Sequence, residues 1–428
     1  MTDQDIARLG PAFAAFLRRF RPCFLQDRTA RHFDNYCRGL LADLPRKSVE
    51  PIALACGTAV RTLQEFLVTA CWDQDQARDT LQHHLAGVLA DLPADSLGTV
   101  GVIDETSAVK QGDQTPGVQR QYLGCVGKIG NGIVTVHVGV ARGRFQALLD
   151  ADLYLPRSWD QDRPRCRAAG IPDGVRYRAK WRIALDQLIR LHTNGVRFDW
   201  LTFDEGYGSK VPFLTILSLV GQKFVAEVPV SFAVWTEGAS GWRRADAVVT
   251  AQDARQGRCY RIRRHTHPDA RWRAVKRPVT VKGHSYTLVV AINEATAEVK
   301  YFVTNATAEP LTRVLAVAFR RATIEHSFRV AKTEAGLTHY EGRQYLGLVR
   351  HLILGLIVMA FVSIHTDRLR GEKSAGDHGA SMPGAQRAMC NPVSPPPEDR
   401  RILPCRRGDS IPPTSQRASD QISQEAAA

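Results

Sequence analysis

Three carboxylates, Asp104, Asp204 and Glu325, occupy sequence contexts that could build a site for metal-dependent chemistry. Asp104 and Asp204 each end a short apolar run. An apolar strand that stops at an Asp carries its carboxylate to the carboxyl edge of a sheet, where ligands usually bind. Although 100 and 121 residues separate the three side chains, two strands and a helix can bring them together. Hard oxygen ligands suit Mg²⁺ or Mn²⁺, and two such ions about 3.5–4 Å apart can cut or join phosphodiesters.

The segment around Glu325 predicts a helix with one charged edge. At about 100° per residue, four charged residues fall within about 80° of one another: Arg321, Glu325, Arg329 and Lys332. The neighbouring stripe is apolar and would pack on the sheet: Val317, Ile324, Phe328 and Ala331. A surface helix with i,i+4 ion pairs would show the same charges, and a lone Asp at a strand end is often a helix cap. Together, the helix and the two Asp residues favour a site whose cations, Arg321 and Lys332, position phosphates.

Composition indicates a globular chain with a polyanionic partner. The chain has 428 residues, 44% of them hydrophobic, and a net charge of +14; this balance favours nucleic acid over a membrane. Nine single cysteines without a C-x-x-C pair argue against structural zinc and a disulfide framework. The longest apolar stretch, residues 352–364, is shorter than the roughly 20 residues of a membrane span. The acidic N-terminus lacks a signal-type apolar core, so we expect a cytoplasmic protein.

The pattern of apolar residues divides the chain into five segments. Residues 1–97 have helical spacing, which predicts a helical N-terminal domain, and residues 98–230 alternate between strands and helices. We expect the N-terminal domain to bind DNA. Strand-like pieces between polar turns predict a β-rich insertion over 231–305, and helical spacing returns over 306–366. Residues 367–428 contain eight prolines and no aromatic residue, which predicts a disordered tail. The predicted fold class is α/β with a mixed sheet.

The insertion holds an excess of cations. Residues 243–282 contain twelve Lys or Arg and three Asp or Glu, with Trp242, Tyr260 and Trp272 beside or among them. Arg side chains pair with phosphates, and aromatic rings can stack on bases. A solvated charged face with buried aromatic rings is the alternative. We favour DNA contact, with Arg261, Arg263, Arg264 and Trp272 as the candidate residues.

An ordered series of motifs resembles the DDE transposases of bacterial insertion sequences, the branch with a β-rich insertion in the catalytic core. The acidic motifs are Ile103-Asp104-Glu105-Thr106, Phe203-Asp204-Glu205-Gly206-Tyr207-Gly208, and Ile324-Glu325 followed seven residues after Glu325 by Lys332. Other matching pieces are Arg120-Gln121-Tyr122, Glu334-Ala-Gly-Leu337 and His339-Tyr340-Glu341. The match runs from about residue 10 to 366. Two positions depart from the pattern, since Ala318 and Ala322 replace aromatic residues of many relatives.

The resemblance implies an RNase H-like core and a transposase that cuts and joins DNA at element ends. Asp104, Asp204 and Glu325 would then hold two Mg²⁺ ions, with Mn²⁺ as a substitute, and the spare carboxylates are Glu105, Glu205 and Glu334. The implied partner is double-stranded DNA, both element ends and target, and the resemblance allows a homodimer on paired ends. Two alternatives stay open: an inactive DNA-binding protein derived from a transposase, and a nuclease without strand transfer.

Overall fold

The computed structural model describes residues 3–93, 95–262 and 269–371. Two predictions therefore fall largely or wholly outside the described residues. Arg263 and Arg264 are not among them, and of the predicted tail over 367–428 only residues 367–371 are, as the last part of a helix.

The N-terminal region is helical, as the apolar spacing predicts. Its elements are α1 (Asp3–Leu17), a 3-10 helix (Arg18–Cys23), α2 (Asp27–Leu41), α3 (Val49–Ala55), α4 (Val60–Val68) and α5 (Gln74–Asp91). The start of α5 is fixed locally, because the Asp73 carboxylate accepts the backbone N–H of Gln76 at 2.8 Å. The buried faces of these helices join the same hydrophobic core as the sheet.

A mixed sheet follows, and its first strands make the predicted RNase H-like core. Its first six strands are β1 (Val100–Val109), β2 (Gln119–Leu123), β3 (Lys128–Arg142), β4 (Phe145–Leu153), β5 (Trp200–Phe203) and β6 (Phe224–Val228). Strand β1 pairs antiparallel with β3 and parallel with β5, and β5 pairs parallel with β6. Strands β2 and β4 both pair with the long β3. The helices between β4 and β6 are α6 (Arg157–Asp160), α7 (Arg163–Ala168), α8 (Lys180–Thr193), α9 (Glu205–Gly208) and α10 (Val211–Leu219).

Strand β4 was not predicted from the sequence. It contains two acidic residues, Asp150 and Asp152, in an otherwise buried strand, which interrupts the apolar pattern. Arg190 of α8 explains how they are accommodated, since its guanidinium lies 2.7 Å from Asp150 and 2.6 Å from Asp152. A long-range ion pair thus permits a strand that local propensity does not indicate.

The insertion is β-rich, as predicted, and continues the same sheet. Its elements are β7 (Ala233–Val234), β8 (Arg243–Arg244), α11 (Ala245–Val248), α12 (Ala251–Gln256), β9 (Arg258–Ile262), β10 (Ala270–Val281), β11 (His284–Asn293) and β12 (Val299–Thr304). Strand β12 pairs antiparallel with β6, and β11, β10 and β9 follow in that order, which gives a sheet of ten strands among the described residues. The insertion is therefore bonded to the core through a backbone ladder. The boundaries assigned to the separate domains stay a prediction.

Three helices close the fold: α13 (Leu311–Phe319), α14 (Ala322–Glu334) and α15 (Tyr345–Gly371). The helix predicted over 311–335 is interrupted by a turn at Arg320 and Arg321. By length and composition, α15 is the one helix of the described residues that could cross a membrane, but 78% of its apolar window is buried. It is a core helix, as predicted for residues 352–364, and its Phe361 ring lies 4.7 Å from that of Phe13.

Candidate active site

Asp104 lies where the parallel pairing of β1 with β5 ends. The last parallel partners are Ile103 and Phe203. The residue that follows each of them is an aspartate, Asp104 on one strand and Asp204 on the other. The prediction that β1 itself stops at Asp104 is wrong. The strand continues to Val109 because β3 goes on pairing with it beyond Asp104. The carboxylate therefore lies inside an antiparallel ladder, only 8% exposed.

Asp204 ends its strand, as predicted, and caps the short helix α9. Its Oδ1 accepts the backbone N–H groups of Gly206 at 3.0 Å and Tyr207 at 3.4 Å. Gly208 of this motif has no room for a side chain, because a Cβ there would lie 1.9 Å from the carbonyl oxygen of Glu227. The close approach brings α9 against β6, and the two backbone hydrogen bonds orient the Asp204 side chain.

Arg321 joins the third predicted carboxylate to the first. Its Nη1 lies 3.1 Å from Asp104 Oδ2 and 3.3 Å from Glu325 Oε1. Its Nε lies 3.7 Å from Oε2 of Glu227, which also pairs with Lys300 at 2.6 Å. Sequence reasoning missed Glu227. The available signal was an acidic residue within the otherwise apolar strand β6.

Asp204 and Glu325 both act electrostatically on the carboxyl group of Asp104. Burial raises the pKa of Asp104 to about 7; Arg321 opposes this rise, while the negative charges of Asp204 and Glu325 add to it. Burial lowers the pKa of Lys332, and the nearby Cys125 and Asp104 partly offset that change. The predicted cations Arg321 and Lys332 thus lie beside the predicted carboxylates.

The donor chemistry of this site fits a divalent cation, although the described residues contain no group of three His, Cys, Asp or Glu side chains already close enough to hold one. Carboxylate oxygens are hard donors. In the described part of the chain, Oδ2 of Asp204 has no hydrogen-bond or ion-pair partner. Arg321 supplies positive charge to Asp104 and Glu325. A cation would need Arg321 to release these two side chains.

The three spare carboxylates lie outside this cluster. Glu105 is bound by Lys180 at 2.7 Å, and Glu205 is exposed at the start of α9. Glu334 lies at the last turn of α14, where its carbonyl oxygen accepts a hydrogen bond from Lys47. Among the described residues, Arg321 forms its ion pairs with Asp104, Glu227 and Glu325 and with none of these three.

The candidate DNA-binding residues fall into different environments. Arg329 is exposed and bonds to His326 at 2.9 Å, and Arg261 is exposed and pairs with Asp269 at 2.8 Å. Trp272 is fully buried, with its ring 4.6 Å from that of Phe319. The prediction that Trp272 stacks on bases is therefore wrong for this conformation, because the ring belongs to the core. Of the three aromatic residues noted in this region, Trp242 is the exposed one.

Comparison with known proteins identifies relatives of this arrangement. The profile of a family described as DDE superfamily endonuclease matches residues 19–288, a range that includes Asp104 and Asp204 and stops before Glu325. A protein named "Probable transposase for insertion sequence element IS701", from Microchaete diplosiphon, is 33% identical over 193 residues. That alignment covers 44% of this chain and 46% of the relative, so the chain matches about half the length of this relative.

Proposed function

Since the chain belongs to the family of DDE superfamily endonucleases, we propose that it is a transposase that cuts DNA at the ends of an insertion sequence and joins those ends to target DNA. The observation that carries the proposal is the pairing of Arg321 with both Asp104 and Glu325, while Asp204 acts electrostatically on Asp104 and on Arg321. The relative named as a probable transposase gives additional support.

Each carboxylate has a distinct support in this proposal. Asp104 is held by the β1–β3 ladder, Asp204 by the α9 N-terminus, and Glu325 by the helix α14. Their oxygens would hold two divalent cations, Mg²⁺ or its substitute Mn²⁺. Such ions, when bound, make water or a hydroxyl group more nucleophilic and stabilise charge on the leaving oxygen.

Arg321, which precedes α14, and Lys332 within α14 act on the DNA in this mechanism. Where divalent cations took the place of its charge beside Asp104 and Glu325, Arg321 would be free to pair with a phosphate. Lys332 donates hydrogen bonds to phosphate oxygens and keeps the cleaved strand beside Asp104. The burial of Asp104 strengthens its own charge interactions, whereas the Glu325 side chain is 56% exposed and open to solvent.

The chain's charge supports a double-stranded DNA partner. The net charge is +14, and phosphate contacts by Lys and Arg supply most sequence-independent affinity for DNA. Both element ends and target DNA would bind, with a homodimer holding the paired ends in the cytoplasm. The helical N-terminal region and the insertion would each contribute to this surface.

The test is incubation of the full-length chain with DNA carrying its own element ends, Mg²⁺ and target DNA. The expected products are nicked ends and ends joined to the target. The matched control is Asp204→Asn, which keeps the shape of the α9 cap but loses charge. DNA binding without any cleavage by the unaltered chain would establish an inactive DNA-binding protein. Cleavage without joined products would establish a nuclease.

A further inference from the structure

A two-stranded ribbon beside the candidate site has a fixed inner face and an open outer face. It consists of residues 119–131, the strand β2, its turn and the start of β3, and we call it the β2–β3 ribbon. Leu123 points inward and is fully buried. Gly132 makes room for Leu123, since a Cβ there would lie 2.8 Å from the leucine side chain. The ribbon is thereby anchored on one side.

The outer face presents apolar side chains to solvent. Tyr122 and Ile129 are opposite each other in the ladder, and they are 62% and 61% exposed. Val126, in the turn, is also exposed. Arg120 lies on the same face as Tyr122, because side chains of a strand alternate. It is exposed and has no ion-pair partner among the described residues. Exposed apolar pairs on a rigid ribbon commonly mark a binding surface.

The tip of the ribbon lies next to the candidate active site. The backbone N–H of Cys125 donates to Ser107 Oγ at 3.1 Å, and Ser107 follows Asp104 by three residues on β1. Cys125 and Asp104 both act electrostatically on the ammonium group of Lys332. Lys332 therefore lies near both the tip of the ribbon and Asp104.

We propose that the outer face of the β2–β3 ribbon binds bases that become unpaired beside the cleaved phosphodiester, an inference that rests on the proposed function. Asp104 is only 8% exposed, so a duplex strand must be deformed to bring a phosphate to it. Tyr122 stacks on an exposed base, and Ile129 and Val126 cover the neighbouring apolar surface. Aromatic stacking tolerates any base sequence, and apolar side chains that enter between bases stabilise distorted DNA.

Charge favours DNA over a second copy of the chain as the occupant. The ribbon contains two cations, Arg120 and Lys128, and no Asp or Glu. A second copy packed face to face would bring four cations together, whereas a nucleic-acid strand supplies phosphates to pair with them.

The experiment compares two DNA probes that carry an element end, one fully paired and one with about three unpaired bases beside the cleavage position. Affinity is measured by fluorescence anisotropy without divalent metal, so that no cleavage occurs. The unaltered chain is expected to prefer the unpaired probe. Tyr122→Ala is expected to reduce this preference at least about five-fold, since stacking contributes about 1–3 kcal/mol per base. Tyr122→Phe keeps the ring and is expected to keep the preference.

The matched control is Leu219→Ala. Leu219 is 63% exposed and ends α10 just before β6 begins, at the sheet edge opposite the site. It is expected to leave both affinities unchanged. An unchanged preference in Tyr122→Ala, or no preference in the unaltered chain, would overturn the ribbon proposal while leaving the transposase proposal intact. Absence of binding to either probe would overturn both. Self-association that Tyr122→Ala abolishes in sedimentation would assign the face to a second copy and overturn DNA as its occupant.

Discussion

The two halves of the ten-stranded sheet carry charge in opposite ways. The half from β1 to β6 buries carboxylates, and burial raises the pKa of Asp104 to about 7. The half from β9 to β12 displays cations at its surface, and several pair locally with acids. Arg271 and Arg273 each lie 2.9 Å from Glu294. The comparison teaches that the few buried charges define the chemistry, whereas the many exposed ones set affinity.

Removing one carboxylate of the candidate site tests this difference most severely. Asp204→Asn is expected to lower the cleavage rate more than about 100-fold, since even the partners of metal ligands contribute about 10–100-fold. Asp104→Asn and Glu325→Gln should behave alike. The measurement is the rate of nicking at element ends, with DNA affinity measured in parallel and expected to stay nearly constant. Glu205→Gln, an exposed neighbour, is the control; near-normal cleavage by Asp204→Asn would exclude that residue as a ligand.

Removing the guanidinium of Arg321, which pairs with Asp104 and Glu325, should lower the free energy of unfolding by an amount that depends on pH. The pKa of Asp104 is higher in the folded chain than in the unfolded chain, so this group's contribution to stability is lost as pH rises from about 4, the usual pKa of an Asp side chain, to about 7. Arg321 matters most when Asp104 is ionised. Arg321→Gln is therefore expected to lower the free energy of unfolding by about 3 kcal/mol at pH 8.5 and by less at pH 5. Urea titrations at both pH values check this, with exposed Arg329→Gln as control; an equal cost at both pH values would contradict it.

A buried histidine predicts that the fold loses stability at acidic pH. His351 of α15 lies 2.9 Å from the Tyr36 hydroxyl and 3.0 Å from the Gly336 carbonyl oxygen, and burial lowers its pKa to about 4. The unfolded chain then binds the proton more tightly. The stability present above about pH 6.5 is lost as pH falls towards 4, by about 3 kcal/mol for this group. His351→Gln should be less stable at pH 7 and show a shallower acid dependence; parallel curves would refute the assignment.

The smallest expected effect on DNA binding and stability concerns the half of the sheet from β9 to β12. Glu294→Gln removes the acidic partner of Arg271 and Arg273, so the logarithm of DNA affinity should fall more steeply with the logarithm of salt, by about one to two phosphate contacts. Stability should change by less than about 1 kcal/mol, since surface ion pairs contribute little. Affinities at several salt concentrations check the slope. An unaltered slope would mean that this part of the insertion faces away from DNA.

Local motifs allowed much of the site to be predicted, and long-range pairing explains the rest. Asp204 follows its strand as predicted because an Asp before two glycines is a strong helix cap. The end of β1 was predicted wrongly, since only β3, many residues later, decides how far β1 extends. Glu227 could not be placed opposite Arg321 without knowing that β6 lies beside α14's first turn.

The burial of Trp272 could have been predicted. Arg271 and Arg273 flank it within one strand, and side chains alternate between the two faces of a sheet. Two exposed arginines therefore require the tryptophan between them to face the other way. Composition alone, which counts aromatic residues near cations, does not contain this directional information.

The position of α15 affects how the chain matures during synthesis. The ring of Phe13 packs on Phe361, and α15 also contacts β4 and the helices α2, α4 and α5. The ribosome makes roughly 5–20 residues per second, so the first helices wait on the order of tens of seconds for their central packing partner. Strand β4, which shares that partner, waits with them. The N-terminal region and the catalytic sheet therefore complete their packing at the same late moment, when α15 docks.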